Sequence, residues 1–449
     1  GPPLKGPPRN PLRRGGGRPM GNHAPRVPGS LDPADITIVG SPPIIGAIEA
    51  ADWAKGIGAA VQDPPRGTGD AVRAAFDAGM FGEIVLILYA DHPLVTAEML
   101  SKLIGAFDSG HHRIALLTCM LDDSAGYGRI VRDGDRISAI IEKGDDDPVL
   151  RAGRSEINSG VMLLDRNWAA GALARLPMNA RKMEYFLTDL VAMAHTEIPG
   201  SVIGVEGTPD VLVGVNDRLE LAVADRALRE CKRWELMCDG VTLIEPETNL
   251  IDLDVEIGSD TTVGPGCILE SGTRIGSNCV IGPNAIIRAS RLGDRVRVES
   301  STIESSTIGN DSDIGPYAHL RAKTRIGAGV HIGNFAELKH ALVGDETRIG
   351  HFSYIGDATL GKDVNIGAGS ITCNFDGTSK HRTTIGDGAF IGSDTMLIAP
   401  VEVGAGGRTG AGAVVSRNVA EGATVVGMPA REVHRMPVEP ANTDGKERG

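Results

Sequence analysis

The stretch "IGSDTTVGPGCILESGTRIGSNCVIGPNAII", residues 257–287, sets an aliphatic residue at every sixth position: Ile257, Val263, Leu269, Ile275, Ile281 and Ile287. An α-helix needs apolar positions about every 3.6 residues and a half-buried strand about every 2, so neither explains the spacing. A period of six fits a parallel β-helix of hexapeptide repeats, in which each aliphatic side chain points into the coil and small residues turn the corners. Glycine suits such corners because it takes φ > 0 without a Cβ clash. After an irregular patch the frame resumes at Ile314, Leu320, Ile326, Ile332 and Leu338. It then runs one residue out of phase through Val343, Ile349 and Ile355, and goes on through Leu360, Ile366, Ile385, Ile391, Leu397 and Val403. Stacked aliphatic columns of this kind also explain why only 4% of residues are aromatic.

Two features exceed what a coil requires. "RIGHFSYIG", residues 348–356, needs only Ile349, Gly350, Ile355 and Gly356 for the repeat, yet it carries His351 and Tyr354, with Lys339 one repeat earlier. The repeat also breaks at "CNFDGTSKHRTT", residues 373–384. An insertion between stacked coils projects outward, so Asn374, Lys380 and His381 sit either on a loop reaching a neighbouring subunit or on a tolerated surface loop.

Upstream, residues 36–228 alternate strand-like and helical patterns, the mark of an α/β domain. Its clearest strand is "IVLIL" at 84–88, followed at once by "YADHPL". Leu219, Val223, Ala227, Cys231, Trp234 and Cys238 then recur three or four apart and predict a helical arm joining two domains. Residues 1–30 are dominated by Pro, Gly and Arg and are expected to be disordered or a degenerate nucleotide loop. The expected organisation is therefore 1–30; an N-terminally incomplete α/β domain over 31–228; arm and linker over 229–249; β-helix over 250–436; and a tail over 437–449.

With 45 Lys and Arg against 58 Asp and Glu, the balance disfavours nucleic acid as a main partner. The six cysteines show no CxxC or paired Cys/His spacing, which argues against a disulfide or zinc framework and for the cytoplasm. No apolar run approaches the roughly 20 residues that span a bilayer, so membrane insertion is not expected.

In both halves the chain resembles the bacterial family of bifunctional N-acetylglucosamine-1-phosphate uridyltransferase / glucosamine-1-phosphate acetyltransferases. "GTGDAV", "YADHPLV", "GYGRIV", "EINSGV", "EYFLTDL" and "GVNDRLEL" carry the likeness in the first half. "GNFAELK", "RIGHFSYIGDA" and "VNIGAGSITCNFDGTSKHRTTIGDGAFIGSDT" carry it in the second. The resemblance implies a Rossmann-like nucleotidyltransferase domain followed by a left-handed β-helix assembled as a homotrimer. It implies acetyl transfer from acetyl-CoA to glucosamine-1-phosphate, then Mg²⁺-dependent uridylyl transfer from UTP to N-acetylglucosamine-1-phosphate. The product, UDP-N-acetylglucosamine, feeds cell-wall and lipopolysaccharide synthesis.

Residue by residue, His351 matches the family's general base, and an imidazole titrates in the range that role needs. Arg321 and Lys339 match phosphate-contacting positions; Tyr354, Asn365, Asn374 and Lys380 match sugar-site positions; Ala368, Ser393 and Ala411 match positions that face acetyl-CoA. Met428 stands where a related chain offers Arg, which implies weaker coenzyme binding unless Arg431 substitutes. In the first half Asp91 and Asn216 match the metal ligands. Gln62, Gly67 and Thr68 match uracil contacts, and Tyr89, Gly128, Glu142 and Asn158 the sugar side. The family's N-terminal Gly-rich nucleotide loop has a blurred counterpart at 12–26, with Leu12 and Gly15 in place, Pro19 at the Arg position and Arg26 at the Lys position. Those departures raise a second reading, an acetyltransferase with an impaired uridyltransferase. A non-catalytic β-helix scaffold is a third, and it requires the His351 constellation to be accidental.

Overall fold

The computed structural model describes residues 14–15, 18–19, 31–79, 82–122, 127–142, 155–208, 214–215 and 217–433. Leu12, Arg26, Asn216 and the tail over 437–449 lie outside them, as does most of 1–30. Two compact units divide between Leu228 and Arg229.

The second unit is the β-helix. Three parallel ladders run along it, here called the first, second and third faces. They start at Thr242–Leu243, Leu250–Ile251 and Glu256–Ile257 and end, in parallel pairing, at Thr424–Val426, Val414–Val415 and Val401–Val403. Pairings such as Val263↔Ile281 and Leu269↔Ile287 put each aliphatic residue above its counterpart one coil on. The inward columns form one continuous core in which Val263, Leu269, Ile281, Ile287, Ile349 and Ile355 are fully buried. Each such side chain contributes about 1.5–3 kcal/mol relative to exposure.

The irregular patch is not a gap in the solenoid. The inward positions simply lie five apart at Ile287–Leu292, Val298–Ile303 and Ile303–Ile308, and again at Leu338–Val343 and Ile355–Leu360. Each short corner is turned by a left-handed non-glycine residue: Ala289, Ser300, Ser305, His340 and Asp357, with φ of 45°, 41°, 44°, 51° and 47°. Six-residue corners carry left-handed non-glycine residues too, among them Asp260, Asn278, Arg295 and Asp311, so the left-handed turn is common to both spacings and the stacked coils hold its steric cost in place.

In the first unit, β1 (Arg14–Gly15) and β2 (Arg18–Pro19) pair antiparallel, with Gly15 opposite Arg18. β3 (Thr37–Gly40) and β4 (Gly58–Val61) form a separate parallel pair. The main sheet holds β5 (Ile84–Ile87), β6 (Ile114–Leu121), β7 (Arg129–Asp133), β8 (Arg136–Ile141), β9 (Ser155–Asp165) and, after the small hairpin β10 (Met178–Asn179) and β11 (Glu184–Tyr185), β12 (Val202–Glu206). Its order is β12-β6-β9-β7-β8, with β5 antiparallel to β9. β9 is buried from Ile157 to Asp165 because strands flank it and helices cover the sheet.

The predicted helical arm is one helix, Arg218–Cys238. The apolar stripe that reveals it is not the face it buries: Leu219, Val223 and Trp234 are exposed, while Ala224, Lys232, Arg233 and Leu236 are buried. Beyond the division point its last turns are pinned to the first coil, by Arg229 to Asp252 at 2.8 Å and by Arg233 Nη1 donating to the Asn249 carbonyl.

Candidate active sites

On the β-helix, Arg348, Asn365, Phe390 and Arg408 pair in turn along the first face. Three residues beyond each stand His351, Ala368, Ser393 and Ala411, one above another at the corner leading to the second face. At the strand spacing of about 4.8 Å this column runs roughly 14 Å over three coil steps. His351 caps it, exposed, with Nδ1 3.5 Å from Asn334 Oδ1. Met428, exposed, lies in the turn between Thr424–Val426 and the antiparallel strand Arg431–Val433 that closes this ladder.

Tyr354 opens the second-face strand that follows His351, and its hydroxyl lies over Gly356, where a Cβ would collide with it. Lys339 pairs with Gly356. Four residues, the corner pair Phe352 and Ser353 and the strand residues Tyr354 and Ile355, separate that position from His351, so the imidazole stems from the corner that opens the second face and the Lys339 ammonium from that face's far edge, one coil back.

At the Lys339 edge the cations gather. Arg321 donates to Glu337 Oε1 at 2.9 Å. The Lys380 ammonium first, then the Arg321 guanidinium, push Lys339 below the ordinary lysine range, with Asp357 opposing them. Lys380 sits on an insertion that folds back on itself: Phe375 bridges Lys380, and His381 Nε2 meets Asp376 Oδ2 at 2.6 Å. The Ser379 amide and this imidazole, with the Thr378 amide, hold the Asp376 carboxyl well below the usual carboxylate range. Asn374 is buried and donates through Nδ2 to Asp357 Oδ2 at 2.6 Å. Asn365 is not part of this group; it sits on the first face between Arg348 and Phe390. Asp357, Glu337 and Asn334 escaped the sequence reading, although Asp357 stands in the quoted "YIGDA" and Asn334 and Glu337 in "GNFAELK".

A depressed lysine pKa has a directional consequence. Lys339 carries its charge below that pKa and loses it as pH rises through it, so an anion held there is released at lower pH than an ordinary lysine would release it. In Lys339→Arg the guanidinium stays charged throughout. The alkaline fall of kcat/KM for the sugar phosphate is therefore expected to move to higher pH in that variant; an unmoved alkaline limb would show that Lys339 does not hold the anion.

In the first unit the candidate residues line two sides of one segment, 184–188. On one side the loop after β4 docks: Gln62 Nε2 donates to the Gly67 carbonyl at 2.9 Å and to Asp70 Oδ2 at 3.0 Å, and the Thr68 hydroxyl accepts from Leu187 N at 3.1 Å. Gly67 has φ 98°, and a Cβ there would meet the Tyr185 carbonyl at 2.6 Å, so only glycine fits. On the other side Thr188 Oγ1 donates to Glu142 Oε1 at 2.8 Å. Glu142 backs Gly128, whose carbonyl accepts from Asn158 N at 2.9 Å, and the Tyr89 ring covers Gly160.

Asp91 follows β5 at its carboxyl end, where open α/β sheets bind ligands. His92, buried beside it, places Nδ1 3.1 Å from Asp91 Oδ1. Val215 N donates to the Asp91 carbonyl at 2.8 Å, so the chain entering Asn216 is fastened to Asp91. No group of three or more His, Cys, Asp or Glu among the described residues makes a metal cage. A hard carboxylate at the carboxyl end of β5 fits a cation such as Mg²⁺, which keeps water and phosphate oxygens in its own shell.

The architecture defines a class: a nucleotidyltransferase-type α/β unit joined in one chain to a left-handed β-helix of the hexapeptide acyltransferase type. Residues 251–332 match the model of the GMPPB C-terminal domain, and 382–417 that of the hexapeptide repeat of succinyl-transferase. The chain is 42% identical over 368 residues to the bifunctional protein GlmU of Trichlorobacter lovleyi, covering 81% of this chain and 80% of that one. It is 39% identical over 425 residues to that of Alkalilimnicola ehrlichii, covering 93% and 90%, and 39% identical over 422 residues to that of Aromatoleum aromaticum, covering 90% and 89%. The chain belongs to the GlmU family.

Proposed function

We propose that this chain carries out both steps of UDP-N-acetylglucosamine synthesis, acetyl transfer on the β-helix and uridylyl transfer on the α/β unit. The observation that carries the first assignment is the gathering of Arg321, Lys339 and Lys380 from three separate coils against their own repulsion, with His351 across the same face. Such crowding is compensated when an anion binds. The 1-phosphate of glucosamine-1-phosphate lies on these cations and its amine reaches toward His351. Asn334 Oδ1 favours the Nδ1–H tautomer, which leaves Nε2 to take the ammonium proton. The amine attacks the thioester carbonyl, the C–N bond forms, the C–S bond breaks, the coenzyme A thiolate takes the proton held on Nε2 and leaves as the thiol, and the second amine proton passes to solvent. The coenzyme follows the small-residue column Ala368, Ser393 and Ala411, which a larger side chain would obstruct.

On the α/β unit the N-acetylglucosamine-1-phosphate oxygen attacks the α-phosphorus of UTP and pyrophosphate leaves. Gly128, Glu142, Asn158 and Tyr89 take the sugar, and Gln62, Gly67 and Thr68 the base. Asp91 and Asn216 would hold Mg²⁺, which supplies charge neutralisation at the phosphates. Relatives that match across 90% or more of the chain favour neither the acetyltransferase-only reading nor the scaffold.

A homotrimer fits the exposed aromatics. Tyr317 stacks on Phe335 at 5.3 Å, with Phe352 one coil further, all exposed at the corner beside His351 in a chain poor in aromatics. Such a patch asks for cover. The cytoplasm, where UTP and acetyl-CoA are present, suits a chain with six unpaired cysteines, and no helix among the described residues is long and apolar enough to cross a membrane.

Separate assays of the two half-reactions on purified protein, with mass by light scattering, test the reading. Coenzyme A release with glucosamine-1-phosphate, pyrophosphate release with UTP, and a mass near three times 47.0 kDa are expected. Absence of either product under saturating substrates removes that half of the assignment.

A further inference from the structure

The insertion at 373–384 leaves the β-helix after the strand Ile371–Cys373 and rejoins it at Thr383–Ile385. One residue meets both ends of it. Asp357 turns the left-handed corner of the preceding coil, with φ 47°. Its carboxylate Oδ2 accepts from Asn374 Nδ2 at 2.6 Å, where the insertion departs, and its backbone carbonyl accepts from Thr383 N at 3.2 Å, where it returns. Its other contacts face one coil back: Oδ1 lies 3.2 Å from His340 Nδ1, and its amide donates to the Lys339 carbonyl at 2.9 Å. A carboxylate only accepts, so the bond fixes which end of the Asn374 amide faces Asp357 and turns the amide oxygen the other way.

We propose that Asp357 is a positioning residue of the sugar-phosphate site: it clasps the insertion to the coil and aims Asn374 at the sugar. This rests on the assignment of Asn374 to that site. A corner residue needs neither a side-chain acceptor nor a negative charge to turn, and a carboxylate close enough to act on Lys339 weakens that cation's hold on phosphate. Its geometric contribution offsets that electrostatic cost.

The opposition of the two effects makes the test discriminating. In Asp357→Asn the side-chain oxygen still accepts from Asn374 while the charge is gone; in Asp357→Ala both are lost. Positioning predicts that Asp357→Ala raises the KM for glucosamine-1-phosphate by about tenfold or more, the scale of a lost hydrogen bond to a charged group. Asp357→Asn is expected to stay near the parent value. Both variants should keep the acetyl-CoA KM and uridylyl transfer, which confirms that they fold. Trypsin should cut after Lys380 or Arg382 much faster in Asp357→Ala than in Asp357→Asn. A purely electrostatic role would lower the KM in both variants, and that outcome overturns the proposal. So does an Asp357→Ala enzyme whose KM and tryptic pattern match the parent while Asn374→Ala raises the KM. If Asn374→Ala leaves the KM unchanged, the underlying site assignment fails and the proposal falls with it.

Discussion

Replacing His351 with alanine is expected to lower acetyl transfer by about a thousandfold, within the range that a positioned general base contributes. The protein should remain folded. The side chain is exposed, it approaches Asn334 at 3.5 Å, and the inward positions of its coil, Ile349 and Ile355, are untouched. The measurement is coenzyme A release at saturating glucosamine-1-phosphate, alongside pyrophosphate release from UTP in the same preparation. Because the imidazole and the cation cluster occupy opposite edges of the second face, the variant should lose kcat and keep its KM for the sugar phosphate. Loss of affinity with kcat retained would place His351 in binding instead of proton transfer. Asn334→Ala is expected to show a milder loss in kcat alone, since it removes tautomer control and leaves the ring.

The six-residue frame made the β-helix legible because one inward aliphatic per face is all that its core needs. The five-residue corners were not legible. Ala289, Ser300, Ser305, His340 and Asp357 have no residue type in common, and a left-handed corner in a stacked coil is imposed by the coils on either side. The same corner hid Asp357: its importance comes from meeting Asn374, seventeen positions away in the chain and one coil away in space. The Arg218–Cys238 helix shows the converse case. Its 3.6-residue stripe predicted a helix, but not which side would be buried, because Arg229 and Arg233 tie down a different side. The candidate residues of the proposed acetyl-transfer site came from the motifs. Their grouping into a cation cluster at one edge and a base at the other needed the register of the ladders.

Asp91→Asn is expected to lower uridylyl transfer by two to three orders of magnitude, about the several kcal/mol that metal-assisted charge stabilisation supplies, and to leave acetyl transfer as it was. The substitution keeps the shape of the side chain, and its amide oxygen can still meet His92 at the position of Oδ1. The backbone bond from Val215 to the Asp91 carbonyl is unaffected, so the chain entering Asn216 stays in place. What is removed is one negative charge at the carboxyl end of β5, where the proposed divalent cation would be held against its hydration shell. The loss should therefore be partly recovered by raising Mg²⁺ well above the level that saturates the parent, and direct titration with Mn²⁺ should show weaker binding. A variant that releases pyrophosphate within twofold of the parent at limiting Mg²⁺ would detach Asp91 from the metal. A loss that no concentration of Mg²⁺ relieves, with Mn²⁺ binding intact, would instead give the carboxylate a direct contact with substrate.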